Sequence, residues 1–420
     1  MKRFLIDDKS FATRISTLAD ISSQENLEET FARAALSMLT EPGDSFAGFM
    51  TQHLGSAKLL EFEIARVDTD VFKSALAQVD ALEDAIVKFG DFDVSHGEAR
   101  ERWSSRLNLA ALSAALDIAL AVGAKILTPA SNHWPALLND LEFSTPHCMW
   151  VRSQNLSAIE ELPALAVVGS RVSSAYGEWV TSEIVSDATA RGMSIVSGGA
   201  YGIDSIAHRA ALAQNQFTVA FMAGGIDRLY PSGNEEMLQA IGRQGALIAE
   251  QAPGASPTKW RFLQRNRLIA ALGRATVVVE AGIRSGALNT VTHAQSLQRP
   301  IGAVPGAITS QASAGCNQLL RAGGAEMICS VSDAADLALG KQGWFQPQLG
   351  GLGGFETRAL DAMNSRPQSD LAIASRAGLT HKEIAIALGQ LSLLGFVEQT
   401  DRGWVKLPLE REQRTKASGK

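Results

Sequence analysis

Hydrophobic side chains in the first 110 residues recur at the three- and four-residue spacing of amphipathic helices. Segment 27–40 shows this period and ends at the stop-and-turn sequence Glu-Pro-Gly-Asp of residues 41–44. Segments 45–55 and 110–123 each end in glycine, which is typical of a helix C-terminus. The pattern predicts an all-helical N-terminal domain over residues 1–115.

From about residue 124 the hydrophobic period changes. Short apolar runs, rich in β-branched residues and bounded by Gly or Pro, alternate with segments of helical period. Strands buried on both faces and separated by helices indicate a parallel sheet covered on both sides. We therefore predict an α/β core over residues 116–340. Its strands are expected at 124–129, 165–170, 193–198, 218–224, 246–250, 276–281 and 301–304, and its helices at 176–191, 203–214, 233–243, 259–273 and 286–297.

A Gly-rich segment, 341–354, predicts a linker to a small C-terminal unit. Three helical segments and a two-stranded hairpin follow it, which is the winged-helix pattern, so we predict a winged-helix domain over 355–407. The helices are expected at 355–364, 369–378 and 380–395, and the hairpin at 396–407. The polar tail 408–420 is expected to be disordered.

The composition, 46% hydrophobic and 20% charged, is that of a folded globular chain. A net charge of −6 argues against a general nucleic-acid coat, since such domains are usually basic. The charge is uneven, however: the balance is −10 over residues 1–162, +1 over 163–338 and +3 over 339–420. The acidity lies in the N-terminal third, so partners must be judged segment by segment.

Three cysteines without metal-ligand spacing fit a reduced compartment, and no apolar run suggests a signal peptide or a membrane span. We expect a cytoplasmic protein without a metal or a cofactor. Asp204 and His208 lie four residues apart on a predicted helix, but such a pair without a third ligand is more often structural. Neither Glu280 nor Cys316 belongs to a nucleophile–base set, so we predict no catalytic residue.

Glycine and serine cluster at the carboxyl ends of the predicted strands, where α/β sheets bind ligands. Glycine lets backbone N–H groups approach an anion, and each following helix adds its positive N-terminal end. Any one such turn could simply be a tight βα connection; several at neighbouring strands predict a phosphate-binding crevice. The candidate residues are Gly169, Ser170, Arg171, Ser197, Gly198, Gly199, Gly202, Ser285 and Gly286.

The glycine pattern excludes two common phosphate binders. No G-x-x-x-x-G-K-[ST] motif occurs, so the chain is not a P-loop NTPase. G-x-G-x-x-G is absent after the strand at 165–170, and the next strand ends in Ser197 instead of the acidic residue that holds a dinucleotide ribose. A nicotinamide dehydrogenase is therefore disfavoured.

The helix at 259–273 begins with four cations and two aromatic residues in nine positions. Phosphate contacts combined with base stacking are what single-stranded nucleic acid requires. Arg265 and Arg267 lie about 200° apart on a helix and cannot meet one ligand atom, whereas Lys259 is best placed to face the crevice. The alternative is that the aromatic rings pack in the core and the cations are solvated. The candidates here are Lys259, Phe262, Arg265, Asn266 and Arg267.

Five stretches of the chain, in this order, resemble the DNA-processing protein family DprA, also called Smf. They are 167–177, 197–212, 224–234, 262–272 and 277–294, and the likeness spans roughly residues 124–338. The resemblance implies a Rossmann-like core that binds single-stranded DNA without sequence preference, forms a homodimer, and protects incoming strands and loads RecA on them in natural transformation. It also implies a sterile-alpha-motif-like or helix–hairpin–helix N-terminal domain and a winged-helix C-terminal module.

Within this resemblance, Arg171 matches the family arginine expected to grip a phosphate, and Lys259 stands where a basic residue is usual. Phe262 matches a position where an aromatic ring can stack on a base. Residues 265–267 match the family's Arg-Asn-Arg, and the Ser-Gly positions named above match its turns. Tyr201 departs from the pattern, because many members have Arg there; a stacking ring replaces a cation.

We therefore expect a non-enzymatic, single-stranded-DNA-binding recombination mediator. One alternative is a nucleotide phosphoribohydrolase-like enzyme that uses the same crevice. Such enzymes carry P-G-G-x-G-T-x-x-E, whereas residues 280–290 here are EAGIRSGALNT. A winged-helix transcription factor is a third possibility, although helix 380–395 offers only His381 and Lys382 to a DNA groove.

Overall fold

The computed structural model of the chain describes residues 9–19, 24–161, 163–341, 353–364 and 366–407. The chain divides into two units, Met1–Gln342 and Gly343–Lys420. Most of the predicted linker 341–354 and the whole of the tail 408–420 lie outside the described residues.

The N-terminal region of the first unit is all-helical, as its hydrophobic period predicts. Side-chain caps fix several starts: Asp44 accepts a hydrogen bond from the Ala47 backbone N–H, and Asn108 accepts one from that of Ala111. None of the helices in the described ranges is long and apolar enough to cross a bilayer. The helices are α1 (Lys9–Leu18), α2 (Gln24–Leu39), α3 (Ser45–Leu54), α4 (Ser56–Ala65), α5 (Thr69–Ala77), α6 (Leu82–Phe89), α7 (Phe92–Ser104) and α8 (Leu109–Ala121).

The rest of the first unit is built on a nine-stranded sheet with helices between its strands. The strands are β1 (Lys125–Leu127), β2 (Met149–Ser153), β3 (Ala164–Val168), β4 (Ser194–Ser197), β5 (Thr218–Met222), β6 (Ala246–Ala249), β7 (Ala275–Val278), β8 (Ile301–Ala303) and β9 (Glu326–Met327). The helices are α9 (Ser157–Glu161), α10 (Ala175–Ala190), α11 (Ile203–Ala213), α12 (Glu235–Gln244), α13 (Lys259–Leu272), α14 (Ala287–Ser296), α15 (Ala314–Arg321) and α16 (Val331–Ala338), with 3₁₀ turns at Ala136–Ser144 and Ser232–Asn234.

The strand order is β1-β2-β6-β5-β4-β3-β7-β8-β9. Strands β3 to β9 pair in parallel, which confirms the predicted parallel core. One edge of the sheet differs from the predicted parallel arrangement: β1 pairs antiparallel with β2, and β2 pairs antiparallel with β6. Neither β2 nor the two-residue β9 was among the predicted strands.

The topology creates a crevice between β3 and β7. From β3 the chain adds β4, β5 and β6 on one side, and it then returns to place β7 on the other side of β3. Val168 pairs with Val278, so the segments that follow these two strands emerge side by side at one edge of the sheet. A parallel sheet binds ligands at such a switch point.

The N-terminal helices share one hydrophobic core with a face of the sheet. Trp103 of α7, Trp150 of β2 and Leu247 of β6 belong to the same buried cluster. The Trp150 indole N–H also donates to the Ser37 hydroxyl at 3.3 Å. The predicted domain boundary at 115/116 therefore falls inside α8, and the helical region and the sheet belong to one packed unit.

The second unit has its own core, in which Ile373, Ile384 and Leu391 are fully buried. Three helices and an antiparallel strand pair occupy the positions that the sequence predicts, and Gln368 adds an isolated bridge to Trp404. The elements are α17 (Gly354–Ala362), α18 (Asp370–Ala377), α19 (His381–Leu393), β10 (Val397–Thr400) and β11 (Gly403–Lys406).

Candidate nucleic-acid interface

A cavity of about 460 Å³ opens at the carboxyl ends of β3 and β7. The turn after β3, the turn after β7 and one face of α13 form its walls. Eight of the residues predicted to bind phosphate or DNA line it: Gly169, Ser170, Arg171, Phe262, Arg265, Asn266, Ser285 and Gly286.

The turn after β3 is held in place through its backbone. The Ser170 N–H donates to the Glu280 carbonyl oxygen at 2.7 Å, and the Ser170 hydroxyl donates to the Val172 carbonyl oxygen at 2.7 Å. A Cβ at Gly169 would lie 2.6 Å from the Ile203 side chain, so only glycine fits between β3 and α11. This packing leaves the following side chain, Arg171, exposed at the cavity wall.

The Phe262 ring is the meeting point of two cations and a second aromatic ring. The guanidinium carbons of Arg171 and Arg265 lie 5.5 Å and 5.6 Å from its centroid, within the range of a cation–π contact. The Tyr230 ring lies 5.7 Å away, tilted by 57°. Aromatic surface and positive charge are thus combined at one point of the cavity wall.

Arg265 is a buried cation that holds the cavity together. Its Nη1 donates to the carbonyl oxygens of Gly198 (2.6 Å) and Phe221 (2.5 Å), which ties α13 to two neighbouring strand ends. Burial lowers the pKa of Arg265 to about 10, although the nearby Asp204 carboxylate opposes this shift. Arg265 therefore keeps its charge at neutral pH and contributes a positive field to the cavity.

The cavity wall carries more positive than negative charge. Arg171, Arg265 and Arg284 line it, and Asp204 is the one acidic side chain among its lining residues. Asp204 is buried and accepts hydrogen bonds from the backbone N–H groups of Gly198 (3.2 Å) and Ala200 (3.4 Å). Burial raises the pKa of Asp204, and the Arg265 charge and these backbone donors oppose that shift.

Within the turn after β4, Ala200 lines the cavity, whereas the four predicted phosphate contacts Ser197, Gly198, Gly199 and Gly202 do not. The Ser197 hydroxyl is buried and donates to the Val167 carbonyl oxygen at 2.7 Å. The Gly198 Cα faces the Arg265 guanidinium, and Gly199 and Gly202 have positive φ angles of 65° and 73°. A Cβ at Gly202 would overlap the Ser170 carbonyl oxygen. These residues shape the turn around neighbouring groups instead of presenting donors to a ligand.

Two predicted cations of α13 also lie outside the cavity lining. Lys259 is exposed at the first position of the helix. Arg267 is 3% exposed, and its fork donates to both carboxylate oxygens of Glu250, at 2.8 Å and 2.6 Å. It also donates to the Ser144 carbonyl oxygen. Arg267 joins α13 to β6 and to the 3₁₀ turn before β2, so a DNA contact is not what its geometry supports.

The groups considered for catalysis or metal binding have structural partners. Glu280 accepts hydrogen bonds from the backbone N–H and hydroxyl of Ser174, the N-cap of α10. His208 is buried, its Nδ1 lies 2.8 Å from the Thr218 hydroxyl, and burial lowers its pKa to about 3. No group of three or more potential metal ligands occurs in the part of the chain that the structure describes.

Two residues near the cavity are missing from the predicted set. Arg284 lines the cavity and directly precedes Ser285 and Gly286, the two residues of this turn that were predicted to bind phosphate. Tyr230 touches Phe262, but it lies far from α13 in sequence. Tyr201, predicted to replace a cation in the pocket, lies outside the lining, and its hydroxyl oxygen accepts a hydrogen bond from the Gly233 N–H.

Known proteins with similar sequences show which family this chain belongs to. The family model described as DNA recombination-mediator protein A matches residues 125–338, which include the whole sheet and its turns. The chain belongs to the DNA recombination-mediator protein A family. This result confirms the resemblance that the five sequence stretches indicate.

Individual relatives cover more of the chain than the family model does. A DprA homologue from Mycobacterium tuberculosis is 39% identical over 317 residues, which are 69% of this chain and 78% of that one. Protein Smf from Escherichia coli is 30% identical over 292 residues, covering 67% and 77%. The crystal structure of DprA from Streptococcus pneumoniae superposes with a TM-score of 0.58 at 25% identity, covering 74% of this chain and 97% of that one.

Proposed function

We propose that the chain binds single-stranded DNA without sequence preference at the β3/β7 cavity. The observation that carries the proposal is the exposed Arg171 guanidinium beside the Phe262 ring, on a wall to which the buried Arg265 adds positive charge. Guanidinium groups bind phosphates as bidentate donors, and an aromatic ring stacks on any base. Membership of a family of recombination mediators, with relatives named DNA processing proteins, supports DNA as the ligand.

The test is a salt titration of the binding of a labelled oligothymidylate to the full chain. For a single strand, log K is expected to fall with log salt by about 0.7 for each neutralised phosphate. Arg171→Ala should weaken binding and reduce that slope, while Lys259→Ala, outside the cavity, should have a smaller effect. Binding that ignores salt, or that is unchanged by Arg171→Ala, would contradict the proposal.

We further propose that the protein is a mediator and not an enzyme. Glu280, Asp204 and His208 are each engaged in hydrogen bonds that hold turns or strands, and this structural use of the three candidate groups supports a binding role. In this role the chain would act in the cytoplasm as a homodimer, protect strands taken up in natural transformation and load RecA on them. RecA nucleation on a strand already coated by another binding protein, measured with and without the chain, tests the loading step.

For the second unit we propose a winged-helix module. Helices α17 to α19, closed by the β10–β11 pair, support this assignment. Its contribution to DNA binding is tested by comparing the full chain with one that ends at Gly340. If the two chains bind single-stranded DNA equally well and duplex DNA equally well, the module serves another partner.

A further inference from the structure

Arg284 is a cavity residue to which neither the sequence motifs nor the family comparison gives a role. It lies in the turn between β7 and α14, two residues before Gly286, the N-cap of α14. Val278 of β7 pairs in parallel with Val168 of β3. Arg284 and Arg171 therefore enter the cavity wall from the two strands that flank the switch point.

The arginines of the first unit fall into two groups, those paired with a carboxylate and those without such a partner among the described residues. Arg261 pairs with Glu41, Arg267 with Glu250 and Arg299 with Asp140, each at an N···O distance below 3 Å. Arg284 is exposed and has no hydrogen bond or ion pair to any residue within the described ranges. An unpaired guanidinium on the wall of a cavity has all five N–H donors available to a ligand.

We propose that Arg284 is a second phosphate-binding residue of this site, which contacts the strand from the β7 side while Arg171 contacts it from the β3 side. The inference rests on the proposed single-strand binding. Two separate arginine forks would engage two phosphates of one strand and so fix its path across the switch point. The Ser285–Gly286 turn beside Arg284 adds the N-terminal end of α14, where a phosphate is stabilised.

The experiment compares Arg284→Ala with Arg274→Ala in the full chain. Arg274 is an exposed arginine just before β7, at the opposite edge of the sheet. It carries the same charge as Arg284 and adjoins the same strand, but it lies away from the cavity. Arg284→Ala should weaken oligothymidylate binding and reduce the log K–log salt slope by about 0.7. Arg274→Ala should change neither quantity.

The double variant separates this inference from the proposed function. Arg171→Ala combined with Arg284→Ala should reduce the slope by about 1.4, because two phosphate contacts are lost. If Arg171→Ala alone lowers the slope while Arg284→Ala does not, the strand binds here but Arg284 is not a contact, and the inference is overturned. If neither variant changes binding, the proposed function fails instead.

A different observation carries a second inference, about base stacking. Tyr230 is 51% exposed, and its ring touches Phe262, which is itself partly buried. The Tyr230 hydroxyl has no hydrogen-bond partner among the residues that the structure describes. We infer that Tyr230 extends the stacking surface of Phe262 outward from the cavity, so that a base next to the bound phosphates stacks on it.

Tyr230→Leu and Tyr230→Phe test the stacking surface. Loss of one base–aromatic stack corresponds to a loss of affinity of about 5- to 150-fold. Tyr230→Leu, which keeps apolar bulk without a flat ring, should show this loss with an unchanged salt slope, because no phosphate contact is removed. Tyr230→Phe should bind like the wild type. Equal affinity of the leucine variant and the wild type would overturn the stacking role.

Discussion

The turns after β3, β4 and β7 are all rich in glycine and serine, yet their residues have different roles. In the β4 turn, Ser197 and Gly198 are buried against Val167 and Arg265. In the other two turns, Arg171 and Arg284 are exposed on a cavity wall. The comparison teaches that glycine at a strand end signals close approach of another group, which can be part of the protein as well as a ligand.

The same contrast divides the arginines. Arg265 and Arg267 are buried and donate to carbonyl and carboxylate oxygens of the protein, whereas Arg171 and Arg284 have no such partners in the described ranges. Variants in the first group should therefore change stability, and variants in the second should change strand binding. Three experiments sharpen or break this division.

Arg267→Ala should have the largest effect, and on stability. Removing one partner of a buried ion pair typically costs about 3–5 kcal/mol, because the other charge, here Glu250, remains buried and unpaired. Urea unfolding should show this loss, while the folded fraction should keep its oligothymidylate salt slope. A variant that keeps its stability but binds DNA more weakly would show that Arg267 belongs with Arg171.

Gly198→Ala and Gly286→Ala compare the two kinds of turn directly. A Cβ at Gly198 would lie about 2.4–2.6 Å from the Arg265 guanidinium, whereas a Cβ at Gly286 meets nothing within 4 Å. Overpacking at Gly198 should lower the free energy of unfolding by about 1–3 kcal/mol. Gly286→Ala should stay within about 0.5 kcal/mol of the wild type. Equal thermal stability of the two variants would contradict the structural role of the β4 turn.

The effect that is smallest near neutral pH comes from two buried histidines, and it grows as the pH falls. Burial lowers the pKa of His208 and of His147 to about 3 each, against about 6.5 in an unfolded chain. Below pH 6.5 the unfolded state binds more protons than the folded state, so stability falls as pH falls. Each histidine contributes nearly the full slope of about 1.4 kcal/mol per pH unit between about pH 5.5 and 4.

Urea unfolding of the first unit across that range measures this slope. His208→Gln should flatten it by one proton even though the variant is less stable overall. A slope identical to that of the wild type would mean that His208 is protonated in the folded chain. Strand binding by the wild type should not follow the histidine titration, since neither ring lines the cavity.

Much of this fold is predictable from periodicity, and the exceptions have physical reasons. Strands β3 to β8 are short apolar runs because both faces of each strand are covered. Strand β2 escapes prediction because Arg152 and Ser153 follow its apolar residues and neither Gly nor Pro bounds it. The sequence of one strand does not show whether it pairs parallel or antiparallel, so the antiparallel edge that β2 forms with β1 and β6 was not predicted.

The site was predictable in place but only partly in its residues. The strand-end glycines located the crevice, and eight candidates line it. A helical pattern could not show that Arg265, Asn266 and Arg267 are all buried, because α13 packs against both the sheet and the N-terminal region. Arg284 lies in the stretch 277–294 without a predicted role there, and its position on the cavity wall is what singles it out.

The cation–π contact between Arg171 and Phe262 has an entropic consequence. A free arginine side chain has about 2 kcal/mol of rotamer entropy to lose when a ligand immobilises it. In this chain the guanidinium already rests over the ring, so part of that loss occurs during folding and not during binding. A DNA strand that binds at the cavity contacts a guanidinium whose position is already restricted. Tight binding then requires fewer cations than a flexible basic surface would need.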